Sequence, residues 1–412
     1  MGCNDTSEED QREVTMQTLP LFRADVQISV HQEDGESYLV LHDPFGFADG
    51  PIMVHADMLD VLQSCDGETT MSLLAHAASE EPDGPAMMRL SLFLQQMDEM
   101  GFFESPAFEA RRADALAAWG ALSDRPPICA GGTYPEDPVE LTAFLADEMG
   151  ILPAGDAAEH DVHEADVTAV LLPHIDFRVA PSVYSPGFAP IAHHKADLVI
   201  MIGTSHYWSD DAFILTEKSF TTPLGTVQTD VEIVRALKAQ LPGVASTDVA
   251  HKPEHSLELH VVGLQHLWQD KHFTIVPLLV TMAALEPDAL QKAAEVLRHI
   301  VAESGRKALW LISGDLAHVG KKFGDDVPAS NLIDNVKGAD ERLLEQLRVA
   351  SPEAYHAEIL ATDYAYRICG HAPTVLALTA LRPQKGTIVA YDVWDEAETE
   401  SAVSFTSVLF SG

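Results

Sequence analysis

From residue 128 to the C-terminus, fully apolar runs alternate with amphipathic ones. Apolar runs of strand length fall at 167–172, 197–202, 273–280, 308–312, 387–393 and 403–410. Between them lie stretches with helical spacing at 139–149, 231–241, 284–304, 339–350 and 351–364. Strands that are apolar along their length need cover on both faces. The alternation therefore predicts a layered α/β domain, a central sheet flanked by helices. The longest apolar stretch, 273–285, is broken by Pro277 and reads as a buried strand rather than a membrane span.

Upstream the pattern differs. Residues 37–42 alternate as a strand, and Asp43-Pro44-Phe45-Gly46 forms a turn. Helical spacing follows at 55–63, 71–79 and 86–100, the last closed by Gly101, after which Phe102-Phe103 opens another strand. Residues 109–127 read as a helix and then a linker ending at Arg125-Pro126-Pro127. The predicted organisation is a disordered acidic N-terminus (1–19), a small α+β domain (20–108), a linker (109–127) and the large α/β domain (128–412).

Composition adds exclusions. With 46% hydrophobic and 22% charged residues the chain can bury full cores. Twenty-five basic against 64 acidic residues give a net charge of −39, which repels nucleic-acid phosphates, so no nucleic-acid partner is expected. Cys3, Cys65, Cys129 and Cys369 are scattered and form no CxxC pair, which argues against a disulfide framework and for a cytoplasmic protein. The polar, acidic start lacks the basic and apolar parts of a secretory signal. Met1-Gly2-Cys3-Asn4-Asp5-Thr6 fits the loose acylation pattern, but Glu8, Glu9 and Asp10 oppose an anionic membrane, and no membrane association is expected.

The chemistry gathers where strands stop. The run 167–172 leads into Pro173-His174-Ile175-Asp176, 197–202 into Gly203-Thr204-Ser205-His206, and 308–312 into Ser313-Gly314-Asp315-Leu316-Ala317-His318. Ligands of open α/β sheets lie beyond the carboxyl ends of parallel strands. Parallel strands would bring His174, His206, Asp315 and His318 to one edge. A single such histidine is more often structural, but one at each of three strand ends points to a site. A further cluster, His251 to His260, precedes a helix; there Glu254 and Glu258, four apart, would share a helical face. His255 beside Glu254 would serve as an acid/base group or orient a ligand, though hydrogen-bonded polar groups at a helix start are the equal alternative. Cys369 is read either as a buried apolar group or as a ligand or nucleophile. Imidazoles with a carboxylate or thiolate suit Fe(II), Zn(II) or Cu.

In their order these segments resemble the Memo family, which includes the bacterial proteins called AmmeMemoRadiSam system protein B. The resemblance runs from Ala130-Gly131-Gly132-Thr133-Tyr134-Pro135 through Leu172-Pro173-His174, Gly203-Thr204-Ser205-His206, Thr222-Pro223-Leu224-Gly225 with Asp230, and Glu254-His255-Ser256-Leu257-Glu258. It continues through Ser313-Gly314-Asp315-Leu316-Ala317-His318 and Ile368-Cys369-Gly370 to Val403-Ser404-Phe405. It implies a fold like the class III extradiol dioxygenases. It also implies a metal, Fe(II) first, held by His174, His206 and Cys369, with Asp315, His255 and His318 lining the same cleft. Ile175 and Asp176 depart from the family pattern and place bulk and a carboxylate beside the first histidine. The N-terminal segment resembles the PqqD-like winged-helix modules that hold peptides or partner proteins.

Three functions follow. One is a metal-dependent, dioxygenase-like oxidoreductase acting on an unknown small molecule, with His255, His318, Asp315 and Glu254 as its catalytic set. The second is a non-catalytic metal- or partner-binding protein whose residues 20–105 dock a peptide or a radical-SAM protein. The third is a hydrolase using Cys369 with His371 or a cleft histidine.

Overall fold

The computed structural model describes residues 18–155, 167–207, 209–269 and 271–412. The acidic N-terminal stretch and its acylation pattern fall, apart from residues 18 and 19, outside the described residues. The chain divides into two compact units, one ending at Ala121 and the other Leu122–Gly412.

The first unit runs β1 (Leu21–Phe22), β2 (Gln27–Glu33), β3 (Glu36–His42), β4 (Ile52–His55), α1 (Leu59–Ser64), α2 (Met71–Ala77), α3 (Pro85–Met100), β5 (Phe103–Glu104) and α4 (Pro106–Gly120). Strands β2, β3 and β4 form an antiparallel sheet in that order, and β1 pairs with β5. Leu39, Leu41 and Val54 pack into a core with Leu62, Ala75, Leu94, Phe102 and Phe103. As the sequence predicts, Gly101 ends α3 in the left-handed conformation, φ 91°. Buried Arg23 pairs with Asp25 and Asp43, and its guanidinium lies 4.2 Å from the centroid of the Phe108 ring. The helix expected to open a linker at 109 begins at Pro106, capped by Ser105.

The second unit contains β6 (Asp124–Arg125), α5 (Pro138–Ala143), β7 (Val167–Leu172), α6 (Pro181–Phe188), β8 (Leu198–Thr204), β9 (Phe213–Leu215), β10 (Ser219–Thr222), β11 (Gly225–Val227), α7 (Val231–Gln240), α8 (Glu258–Leu267), β12 (Thr274–Val280), α9 (Pro287–Glu303), β13 (Ala308–Ser313), β14 (His318–Gly320), α10 (Ile333–Arg348), α11 (Pro352–Leu360), α12 (His371–Leu381), β15 (Lys385–Glu396) and β16 (Ser401–Ser411). Its main sheet has the order β14-β16-β7-β13-β8-β12-β9, with β15 on β16. Strands β7, β13, β8 and β12 are mutually parallel neighbours, while β16 and β9 flank them antiparallel.

Alternation along these strands sends side chains to two separate cores. Ala169, Leu171, Ile200, Ile202, Trp310 and Ile312 face α7, α9, α10 and α12. Val170, Leu172, Val199, Met201, Leu309 and Leu311 face α6 and α8. The layered α/β architecture with helices on both faces is thus present, and the two covered faces explain the uniformly apolar strands.

Two helices escape the amphipathic pattern. In α12 ten of eleven residues are buried, so no polar face marks its period. Helix α6 carries Pro186 and Gly187 in its interior, yet a Cβ on Gly187 would lie 2.5 Å from Leu172 Cδ2, so glycine there permits close packing on the sheet. Helix α10 starts six residues before its predicted start, because Gly338 interrupts the pattern that the eye follows.

Candidate metal centre

Strand β13 lies between β7 and β8, so their carboxyl ends are adjacent. Pro173 stops β7, and the next residue, His174, turns its backbone N–H to Asp315 Oδ1 at 2.9 Å. Its ring meets Ser313 Oγ through Nδ1 (2.9 Å) and Cys369 Sγ through Nε2 (3.2 Å). His174 is fully enclosed, and burial together with His206, His255, His260 and His318 holds its pKa well below the ordinary imidazole value. It is a neutral imidazole.

Cys369 arrives from the turn before α12. A Cβ on Gly314 would sit 2.2 Å from Gly370 Cα, so the end of β13 and the Cys369-Gly370 turn cross backbone to backbone. Gly370 N–H donates to Asp315 O (3.0 Å), and Asp315 N–H donates to Cys369 Sγ (3.3 Å). Thr204 Oγ donates to Cys369 O at 2.5 Å, which ties the turn to the end of β8 as well. Burial and Asp315 raise the Cys369 pKa despite the opposing pull of His206. Burial thus favours the thiol form of this sulfur over the thiolate.

His206 follows β8 and is exposed. Its Nδ1 lies 3.0 Å from Glu254 Oε1, and its N–H donates to Glu254 Oε2 at 2.8 Å. That leaves Nε2 as the ligand atom, and the His206 side chain also hydrogen-bonds Cys369. Burial opposes charge on the ring, but Glu254 and Cys369 outweigh it and raise the His206 pKa well above the usual range. Buried Glu254 is held far below the usual carboxylate range, its desolvation overcome by His206 and His255.

The donor atoms of His174, His206 and Cys369 lie within 4.8 Å of one another. The same holds for His206, Glu254 and His255, and for Asp315, His318 and Cys369. The His174 ring stands 4.9 Å from His206 and 5.3 Å from His255, centroid to centroid. Burial raises the Asp315 pKa to about 7 even though His174 and Ile175 donate backbone N–H groups to it. His255 and His318 are held neutral, the latter with its pKa lowered to about 4, chiefly by burial. Two imidazoles that follow β7 and β8 and a sulfur from the turn before α12, with the His206 side exposed, match the donor set of Fe(II), Zn(II) or Cu better than that of the oxygen-seeking Mg(II) or Ca(II).

Several expectations change. Glu254 and Glu258 do not share a helical face, because α8 begins only at Glu258. Glu254 turns to His206, whereas Glu258 accepts from Arg125 Nη1 (2.5 Å), Tyr134 Oη (2.5 Å) and the N–H groups of Ile128 and Cys129. Arg125, expected at the end of a linker, is fully buried and also donates to the carbonyls of His251 and Glu254. The Asp176 carboxylate caps the next turn through Arg178 N (2.8 Å). His371 stacks on His356, with Nε2 2.7 Å from His356 Nδ1, so it is no base for Cys369. A thiol with a raised pKa is likewise a poor nucleophile. The hydrolase reading thus loses His371 as its base; of its two candidate bases the cleft histidine His174 stands against Cys369 Sγ, at 3.2 Å. The residues that sequence reasoning did not single out are Ser313 and His260, which stand behind His174. His260 Nε2 lies 3.0 Å from Ser313 Oγ, and burial lowers the His260 pKa to about 3. Both stood inside conspicuous segments, but no spacing rule links them.

A family model described as Memo-like protein matches residues 125–409, a span that begins just after the first unit. A MEMO1 family protein of Aquifex aeolicus is 29% identical over 290 residues, covering 69% of this chain and 72% of the relative. One from Thermus thermophilus is 30% identical over 309 residues, 74% and 88% of the two chains. One from Archaeoglobus fulgidus is 32% identical over 292 residues, 69% and 99%.

Proposed function

The chain belongs to the Memo family, and from that premise we propose that its large α/β domain, 128–412, is a metal-dependent oxidoreductase of the non-haem iron type. The observation that carries this reading is the convergence of His174, His206 and Cys369 from the ends of β7 and β8 and the turn before α12. In this reading those three hold the ion and an electron-rich small molecule, such as a catechol, enters from the open side. A bound ion of this kind supplies Lewis acidity and, for iron, redox chemistry. The protein's own groups do the rest. Glu254 orients His206 and raises its basicity. Asp315, with its pKa raised to about 7, can give or take a proton near neutrality. His255 and His318, neutral at the rim, are the acid/base groups nearest an incoming substrate.

The test is dioxygen uptake by iron-loaded protein over a panel of catechol-like compounds. His318→Ala and His255→Ala should lower turnover by about 10²–10⁴-fold with metal content unchanged. A metal-replete protein that turns over none of them contradicts the oxidoreductase reading.

A second reading, a non-catalytic metal- or partner-binding protein, draws on the first unit. Its three-stranded antiparallel sheet followed by helices is what supports a PqqD-like winged-helix assignment for 20–108. Strand β2 lies at the edge of that sheet with Ile28 41% and Val30 67% exposed. An open edge with apolar residues accepts an added strand, so in this reading it docks a peptide or a radical-SAM protein. A pull-down with the isolated 20–105 segment that recovers neither counts against it. The cytoplasmic assignment also belongs to this proposal.

A further inference from the structure

Ser313 closes β13 and is completely buried. Its hydroxyl has three polar neighbours: His174 Nδ1 at 2.9 Å, His260 Nε2 at 3.0 Å and the carbonyl oxygen of Ser256 at 2.5 Å. A serine hydroxyl has one proton to give and lone pairs to receive two more. A carbonyl oxygen can only accept, so the proton goes to Ser256. Were it given to either imidazole instead, two oxygens would face each other at 2.5 Å with no proton between them. Both ring nitrogens must therefore donate to Ser313 Oγ.

Two tautomers follow. His174 carries its proton on Nδ1 and presents a bare Nε2 lone pair toward Cys369. His260 carries its proton on Nε2, which leaves its Nδ1 buried and without a hydrogen-bond partner. Cys369 Sγ lies 3.2 Å from His174 Nε2, where its S–H can donate to the bare nitrogen.

We propose that Ser313 and His260 are positioning residues that lock His174 in the Nδ1–H tautomer, so that its Nε2 lone pair is aimed at the ligand position before an ion arrives. The Ser256 carbonyl sets the direction of the hydroxyl. His260 occupies the second lone pair of that hydroxyl and holds its geometry. The consequence for metal binding rests on the metal-centre reading; the tautomer does not.

The experiment uses the full 412-residue chain, labelled with ¹⁵N-histidine. Ring-nitrogen resonances of the metal-free protein, assigned with His174→Asn and His260→Gln, report which nitrogen of each ring is protonated. The expected result is Nδ1–H at His174 and Nε2–H at His260. Competition between the protein and a chelator for Co(II) gives the second readout. Ser313→Ala should weaken Co(II) binding by about 10–100-fold and let His174 populate both tautomers. Ser313→Thr, which keeps the hydroxyl, should restore tautomer and affinity. An Nε2–H tautomer at His174 in the unaltered protein overturns the proposal, as does a Ser313→Ala protein with wild-type tautomer and wild-type Co(II) affinity. If the unaltered protein binds no Co(II), the metal reading fails while the nitrogen resonances still decide the lock.

Discussion

Single residues in this site are defined by what stands behind them. His206 is exposed, yet its ring is fixed, because Glu254 takes both its N–H and its Nδ1. A carboxylate in that position holds the tautomer and strengthens the imidazole as a ligand. Glu254→Gln keeps the shape and removes the charge. It should lower Co(II) or Fe(II) affinity by about 10–100-fold in a chelator competition; an unchanged constant would place Glu254 outside the site. At this scale the sequence was legible in part. His174 and His206 announced themselves as histidines directly after apolar strands. Cys369 did not, because its place depends on two glycines from distant segments touching, and only the family resemblance brought it forward. Ser313 and His260 were less legible still: a three-way hydrogen bond leaves no periodic trace.

Elements carry the site through their ends. Strands β7, β8 and β13 were readable because both faces are covered, which makes them apolar throughout. Helix α12, ten of whose eleven residues are buried and which the Cys369 turn precedes, shows no period and could not be read. The contact between the end of β13 and the Cys369 turn makes a sharp prediction. Gly314→Ala would place a Cβ 2.2 Å from Gly370 Cα, backbone against backbone with no flexible side chain to yield. It should cost about 3 kcal/mol or more in a denaturant melt and weaken metal binding with it; a variant as stable as the parent would show that the two backbones do not touch. Helix α10 and strand β15 meet at a second buried polar contact, where Tyr391 Oη donates to Asp340 Oδ2 at 2.8 Å. Burial raises the Asp340 pKa to about 6, against an ordinary 3.8. A carboxyl whose pKa is raised by folding contributes stability that is full below its unfolded pKa and is lost as pH rises through the folded one. Asp340→Asn should therefore be nearly neutral around pH 4 and stabilising by about 2 kcal/mol at pH 8. Thermal or urea melts at both pH values check this, and equal effects at the two would contradict it.

The molecule joins two units with separate cores, and the family match covers only the second. Among the described residues no helix is long and apolar enough to cross a membrane, in keeping with the broken apolar run around Pro277. Arg125 shows how domain reading from sequence goes astray. Two prolines after an arginine look like a linker, but that arginine is buried on Glu258 and supports the segment bearing Glu254. A cation can be buried when a carboxylate and two carbonyls receive it, and nothing local in the sequence indicates such partners. The net charge of −39 is borne by a protein that also collects six histidine and carboxylate groups, five of them buried or half-buried, around one thiol. The central claim is that this collection is a metal centre. It is tested most directly by metal analysis of anaerobically purified protein, with His174→Ala and Cys369→Ala prepared alongside. The account predicts one tightly held transition-metal ion per chain, lost or strongly depleted in both variants; metal content unchanged in both would contradict it.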